Sequence, residues 1–270
     1  MNTRAVLEAT DLPRHEAERL VMVVTGASRT EVVGGVTLDH HVLDRFTALT
    51  NRRQAGEPLQ YLEGTAAFGP IEVAVDPRVL IPRPETEQLW EKTMNLLPAR
   101  PITLVDLCTG SGCIALAVKH QRSDLVVIGT DLSSDAVDVG RANARLLGLD
   151  VAFREGDLFA ALDPSLLGEV GAIVSNPPYV TSEGWRALPP EIRDHEPSMA
   201  LVADEGGLAF YRRMAADASR WLNTDGLLVA EIGETQADAI VELFGDEGWT
   251  TQVDVDLADR PRFLMARPSR

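Results

Sequence analysis

Cysteine is scarce in this sequence, which contains two among 270 residues. Two cysteines are too few for a disulfide scaffold, and Cys108 and Cys113 lack companion residues at the spacing of a zinc site. The histidines form no metal-ligand set either, since His40 and His41 are adjacent and point in different directions on a helix. We therefore predict no metal site and interpret both cysteines as reduced thiols of a cytoplasmic protein.

Long apolar runs and basic residues are also few. No stretch approaches the roughly 20 apolar residues that a membrane-spanning helix needs, and the N-terminal residues lack the apolar segment of a secretory signal. The 41 acidic residues outnumber the 25 basic ones, giving a net charge of −16. The basic doublets Arg52-Arg53 and Arg212-Arg213 are interpreted as solvated helix faces. We expect no membrane association and no stable nucleic-acid binding, because such a surface repels phosphate.

The sequence does contain a helical region followed by alternating strands and helices. Residues 1–64 show helical spacing, with Asp11 as the expected cap of a helix that holds Pro13 in its first turn. Residues 65–82 are rich in β-branched residues and predict a β-hairpin. From residue 83 onward, seven strands are predicted: 102–107, 125–131, 151–155, 171–175, 226–232, 249–256 and 262–267.

Most of these strands are separated by helices, which implies a parallel, doubly wound α/β sheet. The last two strands are joined by a loop too short for a crossover helix, so they must be antiparallel. Seven strands with a reversed C-terminal hairpin form the architecture of the Rossmann-like class I methyltransferases. The sequence therefore predicts this fold, preceded by a small helical bundle and a connecting hairpin.

A glycine-rich turn follows the first of these strands. It runs through Cys108, Thr109, Gly110, Ser111 and Gly112 into a helix. The two glycines let the backbone turn tightly and approach a ligand without an intervening Cβ, at the end of a parallel strand where ligands bind. The same glycines, with an alanine three residues later, formally satisfy the dinucleotide fingerprint, so NAD is an alternative here.

Acidic residues follow the next two strands. Asp131 closes the second strand, where its carboxylate can accept both hydroxyls of a ribose; a helix cap is the alternative. After the third strand, Asp157 can accept from the amino group of an adenine and Leu158 can pack on its face, although Asp157 can also be an ordinary turn residue. No group suited to hydride transfer is evident. The order of these features favours S-adenosylmethionine over NAD.

The fourth strand ends in Asn176-Pro177-Pro178-Tyr179. Two prolines fix φ and favour extended geometry in the residues before them, which should aim the Asn176 amide and the Pro177 carbonyl outward together. This pair offers two acceptors to one incoming NH2 group, with Tyr179 as a flat wall. The tetrapeptide suggests chemistry on an amide or an exocyclic amine; a proline-rich turn with a hydrogen-bonding asparagine is the alternative.

Five segments resemble the HemK-type protein-(glutamine-N5) methyltransferases. They are QAGEPLQYLEG at 54–64, VLIPRPETE at 79–87, VSNPPYV at 174–180, RDHEP at 193–197 and DEGGLAFY at 204–211. The Asn-Pro-Pro-Tyr motif alone is shared with N6-adenine methyltransferases, and its combination with the Pro-Arg-Pro segment is much more specific. The sequence departs from the family at Cys108 and Asp259, where family members often have glycine.

This resemblance implies an N-terminal helical substrate-recognition domain over residues 1–64, a β-hairpin linker over 65–82 and an S-adenosylmethionine-dependent methyltransferase domain over 83–270. It implies methyl transfer to the side-chain nitrogen of the glutamine in the Gly-Gly-Gln motif of peptide chain release factors, which modulates translation termination and leaves S-adenosylhomocysteine. We expect a cytoplasmic monomer. Methylation of a ribosomal-protein glutamine or of adenine, and a non-catalytic S-adenosylmethionine-binding module, are the alternatives.

The resemblance also implies roles for individual residues. Asn176 and Pro177 are the predicted catalytic acceptors, and they hold the glutamine together with Pro178 and Tyr179. The predicted cofactor-binding residues are Cys108, Thr109, Gly110, Ser111, Gly112, Asp131, Asp157, Leu158 and Asn176, of which Asp157 rests on its position after the third strand. Arg83, Glu85 and Thr86 either shape the mouth of the cofactor site or form a salt bridge and a helix start.

Overall fold

The structure is a computed structural model that describes residues 2–269. Residues 1 and 270, at the outer limits of the predicted domains, lie outside the described residues. The chain divides into two compact units. The first unit extends to Thr65 and also includes Pro189–His195, whereas the second comprises Ala66–Leu188 and the chain from Glu196 onward.

The helices of both units are numbered along the chain. They are α1 Thr3–Glu8, α2 Arg14–Thr25, α3 Arg29–Gly34, α4 His40–Gln54, α5 Leu59–Glu63, α6 Pro84–Leu96, α7 Cys113–Gln121, α8 Ser134–Leu147, α9 Ser182–Ala187, α10 Pro190–Arg193, α11 Ala209–Trp221 and α12 Ala237–Asp246. The strands are β1 Thr65–Phe68, β2 Ile71–Ala74, β3 Thr103–Leu107, β4 Val126–Asp131, β5 Ala152–Glu155, β6 Val170–Ser175, β7 Leu222–Glu231, β8 Trp249–Val255 and β9 Pro261–Pro268.

The first unit is a helical cluster built around α2. The buried face of α2 carries its apolar residues at helical spacing, and the helix ends at Gly26, whose φ of 69° is readily adopted by glycine. The predicted cap at Asp11 is wrong: Pro13 occupies the N-cap position, without a side-chain hydrogen bond to the helix. Its extended ψ of 135° keeps Pro13 outside the helix, so the first turn starts at Arg14.

Arg53 on α4 corrects the expectation of a solvated helix face. Its side chain is only 16% exposed and donates two hydrogen bonds to Glu16, at 2.7 and 3.0 Å. It also donates to Glu191 on α10 at 2.9 Å. The hydrogen bond from Arg53 lowers the pKa of Glu16. This group therefore joins three helices of the first unit.

The second unit contains a seven-stranded sheet in the order β5-β4-β3-β6-β7-β9-β8. The strands pair in parallel from β5 to β7, whereas β9 is antiparallel to both β7 and β8. This confirms the predicted α/β class and the reversed C-terminal hairpin. Strands β1 and β2 form a separate two-stranded sheet at the predicted hairpin. No helix within residues 2–269 is long and apolar enough to cross a membrane.

A single aromatic ring fixes the packing of helices against one half of the sheet. Phe153 on β5 is 4% exposed and lies against Gly112, Gly129 and Gly140. A Cβ at any of the three would come within 2.6–2.8 Å of the ring. Glycine is required at these positions because the ring fills the space that a side chain would need.

We expect Gly140→Ala to lower the free energy of unfolding by about 1–3 kcal/mol, the usual cost of overpacking a filled core. Gly245→Ala is the matched control, because Gly245 is also helical but a Cβ there would contact nothing within 4 Å. It should raise stability by up to about 1 kcal/mol through helix propensity. Denaturant unfolding measures both changes, and equal effects of the two substitutions would contradict the role of Phe153.

Candidate active site

A cleft opens at the carboxyl ends of the parallel strands. Most of the residues predicted from the sequence line it: Cys108, Thr109, Gly110, Ser111, Asp131, Asp157, Leu158, Asn176 and Pro178. Gly112, Pro177 and Tyr179 are not among the lining residues. The residues predicted at the strand ends therefore line one cleft, and their binding roles stay predictions.

The glycine turn is held by hydrogen bonds that its N–H groups donate to neighbouring residues. Gly110 donates its N–H to the Asp131 carboxylate at 2.9 Å, and Thr109 donates its N–H to the Thr130 carbonyl at 2.9 Å. A Cβ at Gly110 would contact nothing within 4 Å, so the space above it is open to a ligand. Gly112 instead accommodates Phe153, which gives it a packing role.

Cys108 and Asp259, the two departures from the family pattern, share one backbone property. Their φ angles are +57° and +59°, in the left-handed region that glycine adopts most easily. A non-glycine residue there carries a strain of about 1 kcal/mol. The turn thus keeps a glycine-like conformation with a cysteine in place, and burial raises the pKa of the Cys108 thiol well above its usual range.

Asp131 and Asp157 offer carboxylate oxygens to the cleft. Asp131 accepts one backbone N–H on each oxygen, from Gly110 and from Ser133, both at 2.9 Å. Each carboxylate oxygen has two lone pairs, so Asp131 can still accept two hydroxyl groups. Burial raises its pKa. Asp157 is half-exposed and pairs at 2.9 Å with Arg213, which is exposed as expected of a solvated helix face.

A third carboxylate, Asp106, lies beneath the turn and was missed by the sequence reasoning. It is 1% exposed. Its Oδ2 accepts from the Thr109 hydroxyl at 2.6 Å and from the Ala115 N–H at 3.2 Å, whereas its Oδ1 has no hydrogen-bond partner within residues 2–269. Burial raises the pKa of Asp106 to about 7. The sequence signal that could have identified Asp106 is the presence of an acidic residue inside the apolar run of β3.

The loop after β6 carries a defined set of side-chain hydrogen bonds. Asn176 donates its Nδ2 to the Thr86 hydroxyl at 3.0 Å, and Thr86 donates to Glu231 Oε2 at 3.0 Å. Tyr179 donates its hydroxyl to Glu231 Oε1, also at 3.0 Å. Because the amide nitrogen of Asn176 is engaged, its oxygen is the atom left to accept from a ligand.

Residues 78–86 form one wall of the cleft, although the sequence analysis placed most of them in the linker. Arg78, Val79, Leu80, Pro82 and Thr86 line the cleft. Helix α6 begins at Pro84, as one of the two interpretations of this segment expected. Arg83 donates to the buried Glu196 at 2.5 Å, so it forms the structural salt bridge that the sequence left open.

The cleft has the polarity of a nucleoside site. Its carboxylates can accept hydroxyl and amino groups, and Leu158, Ile114 and Ala136 supply apolar surface. Asn176 also lines the cleft, and its side-chain oxygen is left to accept a hydrogen bond. No group of His, Cys, Asp or Glu within the described part of the chain is arranged to hold a metal ion. The donors and acceptors present fit an adenosine-type group with a reacting NH2 group beside it.

Comparisons with known proteins agree with this geometry. Residues 2–64 match the PrmC N-terminal domain family and residues 91–187 match the Methyltransferase small domain family. The release factor glutamine methyltransferase of Streptomyces coelicolor is 38% identical over 260 residues, covering 94% of this chain and 91% of that protein. Its counterpart in Mycolicibacterium smegmatis is 40% identical over 257 residues, with 94% and 90% covered.

The solved structures support the fold. A methyltransferase from Pyrococcus furiosus matches with a TM-score of 0.58 and 18% identity, covering 82% of this chain and 100% of that chain. A ribosomal protein L11 methylase from Lactobacillus delbrueckii subsp. bulgaricus matches with a TM-score of 0.51 and 22% identity, covering 70% and 81%. At these identities the similarity shows a shared architecture and nothing more.

The raised pKa of Asp106 predicts a pH-dependent stability. An unfolded aspartate titrates near 3.9, so between about pH 4 and 7 the folded protein binds more protons and its unfolding free energy falls as pH rises. Asp106→Asn removes this contribution. The stability of the variant relative to wild type should therefore grow with pH across this window, by up to about 1 kcal/mol per unit. Denaturant unfolding between pH 4 and 8 measures it, and a constant difference would contradict the assignment.

Proposed function

This chain belongs to the family of release factor glutamine methyltransferases, and from that premise we propose its reaction and the residues that perform it. The enzyme transfers a methyl group from S-adenosylmethionine to the side-chain nitrogen of the glutamine in the Gly-Gly-Gln motif of peptide chain release factors. The observation that carries the proposal is the orientation of Asn176, whose nitrogen is held by Thr86 while its oxygen is left to accept.

The methyl donor would occupy the cleft at the ends of β3 to β6. Asp131 would accept the ribose hydroxyls, and Asp157 would accept from the adenine amino group while Leu158 would pack on the adenine face; all three residues line the cleft. The glycine turn contributes open space above Gly110 for the amino-acid part of the donor. When bound, S-adenosylmethionine supplies an activated methyl group on a sulfonium. The protein must therefore mainly align the acceptor.

The acceptor is a poor nucleophile, because an amide nitrogen shares its lone pair with the carbonyl; the barrier of ~18–20 kcal/mol to amide rotation indicates the scale. Asn176 Oδ1 and the Pro177 carbonyl accept the two hydrogens of the glutamine NH2 group and hold its nitrogen in line. Such alignment contributes about 7–11 kcal/mol in favourable cases.

The same two acceptors also stabilise the charge that develops during the reaction. As the nitrogen attacks, positive charge develops on its NH2 group, so both acceptors bind the transition state more tightly than the ground state. The product loses its proton after the transfer, and no general base is needed beforehand.

We further propose that residues 1–64 recognise the protein substrate, since Asn176 and Pro177 contact only an amide. The match of residues 2–64 to the PrmC N-terminal domain supports this proposal. An intact release factor should then be methylated with a kcat/KM at least tenfold above that of a short Gly-Gly-Gln peptide. Equal values for the two substrates would contradict recognition outside the cleft.

The first experiment is methyl transfer from labelled S-adenosylmethionine to a release factor of the same organism, followed by mass mapping. We expect one added methyl group, on the glutamine of the Gly-Gly-Gln motif. A labelled ribosomal protein or nucleic acid, with the release factor unlabelled, would instead support the alternative acceptors.

Asn176→Ala should lower kcat at least 100-fold, because it removes an acceptor that binds the transition state more tightly than the ground state. Binding of S-adenosylhomocysteine, measured by calorimetry, should persist within tenfold. Asn176→Asp retains a carboxylate acceptor and should keep part of the activity. Full turnover in Asn176→Ala would contradict the proposed role of Asn176.

A further inference from the structure

We propose that Thr86 and Glu231 are positioning residues for this reaction, which fix the side-chain amide of Asn176 with its oxygen toward the substrate. This inference rests on the proposed function of Asn176. Three elements meet in the arrangement: the first turn of α6, the last residue of β7 and the loop after β6. Thr86 and Glu231 are 3% and 2% exposed, so both are shielded from water.

The direction of each hydrogen bond follows from the carboxylate. An ionised Glu231 only accepts, and the hydroxyls of Thr86 and Tyr179 both donate to it at 3.0 Å. Thr86 has a single hydroxyl proton, which is used on Glu231. The Thr86 oxygen can then only accept from Asn176, and it takes the Nδ2 hydrogen at 3.0 Å.

This direction matters because an asparagine amide is nearly symmetric in shape. A flip would exchange its oxygen and nitrogen, and the site would then present a donor to the glutamine NH2 group. Two donors facing each other cannot form a hydrogen bond, so the flipped state cannot hold the substrate. Glu231 prevents the flip by a chain of two hydrogen bonds, without touching the substrate.

The arrangement is costly, which argues against a purely structural purpose. Burying a carboxylate disfavours its charged form, and burial raises the pKa of Glu231. Its two hydroxyl bonds and the charge of Arg262 offset that effect in part. The backbone of Glu231 is held as well, since Tyr211 donates its hydroxyl to the Glu231 carbonyl at 2.7 Å. Glu231 is therefore held both at its carboxylate and at its backbone.

Thr86→Val tests the inference, because it removes the hydroxyl and keeps the shape. We expect kcat to fall at least tenfold, with the affinity for S-adenosylhomocysteine changed less than threefold. Thr86→Ser restores the hydroxyl and should recover most of the loss. Thr93→Val is the matched control: Thr93 is buried on the same helix but donates only to the Leu89 carbonyl, and its substitution should leave kcat within threefold.

A double-mutant cycle and a spectroscopic readout separate positioning from folding. If Thr86 acts through Asn176, adding Thr86→Val to Asn176→Ala should lower kcat no further. In the protein without substrate, the Asn176 side-chain NH2 signals in NMR should lose protection from exchange in Thr86→Val but keep it in Thr93→Val.

The outcomes are distinguishable from failure of the proposed function. If wild type methylates the release factor and Thr86→Val equals wild type, the positioning role is overturned. Loss of activity in Thr86→Ser and Thr86→Val alike, with weakened S-adenosylhomocysteine binding, overturns it as well in favour of a structural role. If wild type transfers no methyl group, the proposed function fails, and the NMR comparison still decides whether Thr86 holds Asn176.

Discussion

The parallel pairing of β3 with β6 is the constraint on which the active site depends. Leu107 and Ser175 are partners in this pairing, and the Ser175 hydroxyl donates to the Leu107 carbonyl at 2.8 Å. The next residues along each strand are Cys108 and Asn176. The glycine turn and the loop that holds the amide acceptor therefore leave the sheet side by side. The strand order also reverses here, with β4 and β5 on one side and β7 on the other, so that the two loops diverge and leave a cleft.

The polar groups around the cleft share one electrostatic property. Burial raises the pKa of Asp106, Asp131 and Glu231. The hydrogen bonds to these side chains come from backbone N–H groups and hydroxyls, which fix the orientation of each carboxyl group. In the proposed reaction, a sulfonium donor and a nitrogen that gains positive charge would both be stabilised by nearby negative charge. Burial opposes ionisation at these three positions, so each of them costs stability when it is charged.

The sequence predicts the parts of this arrangement that depend on neighbours in the chain. Alternating apolar runs and helical segments were sufficient to predict the sheet. Asn176 was named as a candidate site residue because prolines follow it directly. Thr86 and Glu231 could not be placed in the same way. They meet Asn176 only after α6 and β7 have packed, and nothing local to either residue identifies its partner. A glutamate that ends the apolar run of β7 is a signal of a buried charge, but it does not reveal what the charge holds. Gly112 shows the reverse case, since its residue type suggested ligand contact and its surroundings give it a packing role.

The relative size of the effects indicates why an indirect contact matters so much. A single hydrogen bond to a charged group contributes about 1.5–3 kcal/mol, whereas alignment of two reactants contributes about 7–11 kcal/mol. The donor is already activated, so most of the catalytic effect available to the protein is alignment. In the proposed mechanism, Asn176 supplies that alignment only while its amide has the correct orientation, so a flipped amide loses the alignment as well as one hydrogen bond. On this proposal, residues that only fix the orientation of Asn176 influence the rate even though Thr86 and Glu231 do not contact the substrate.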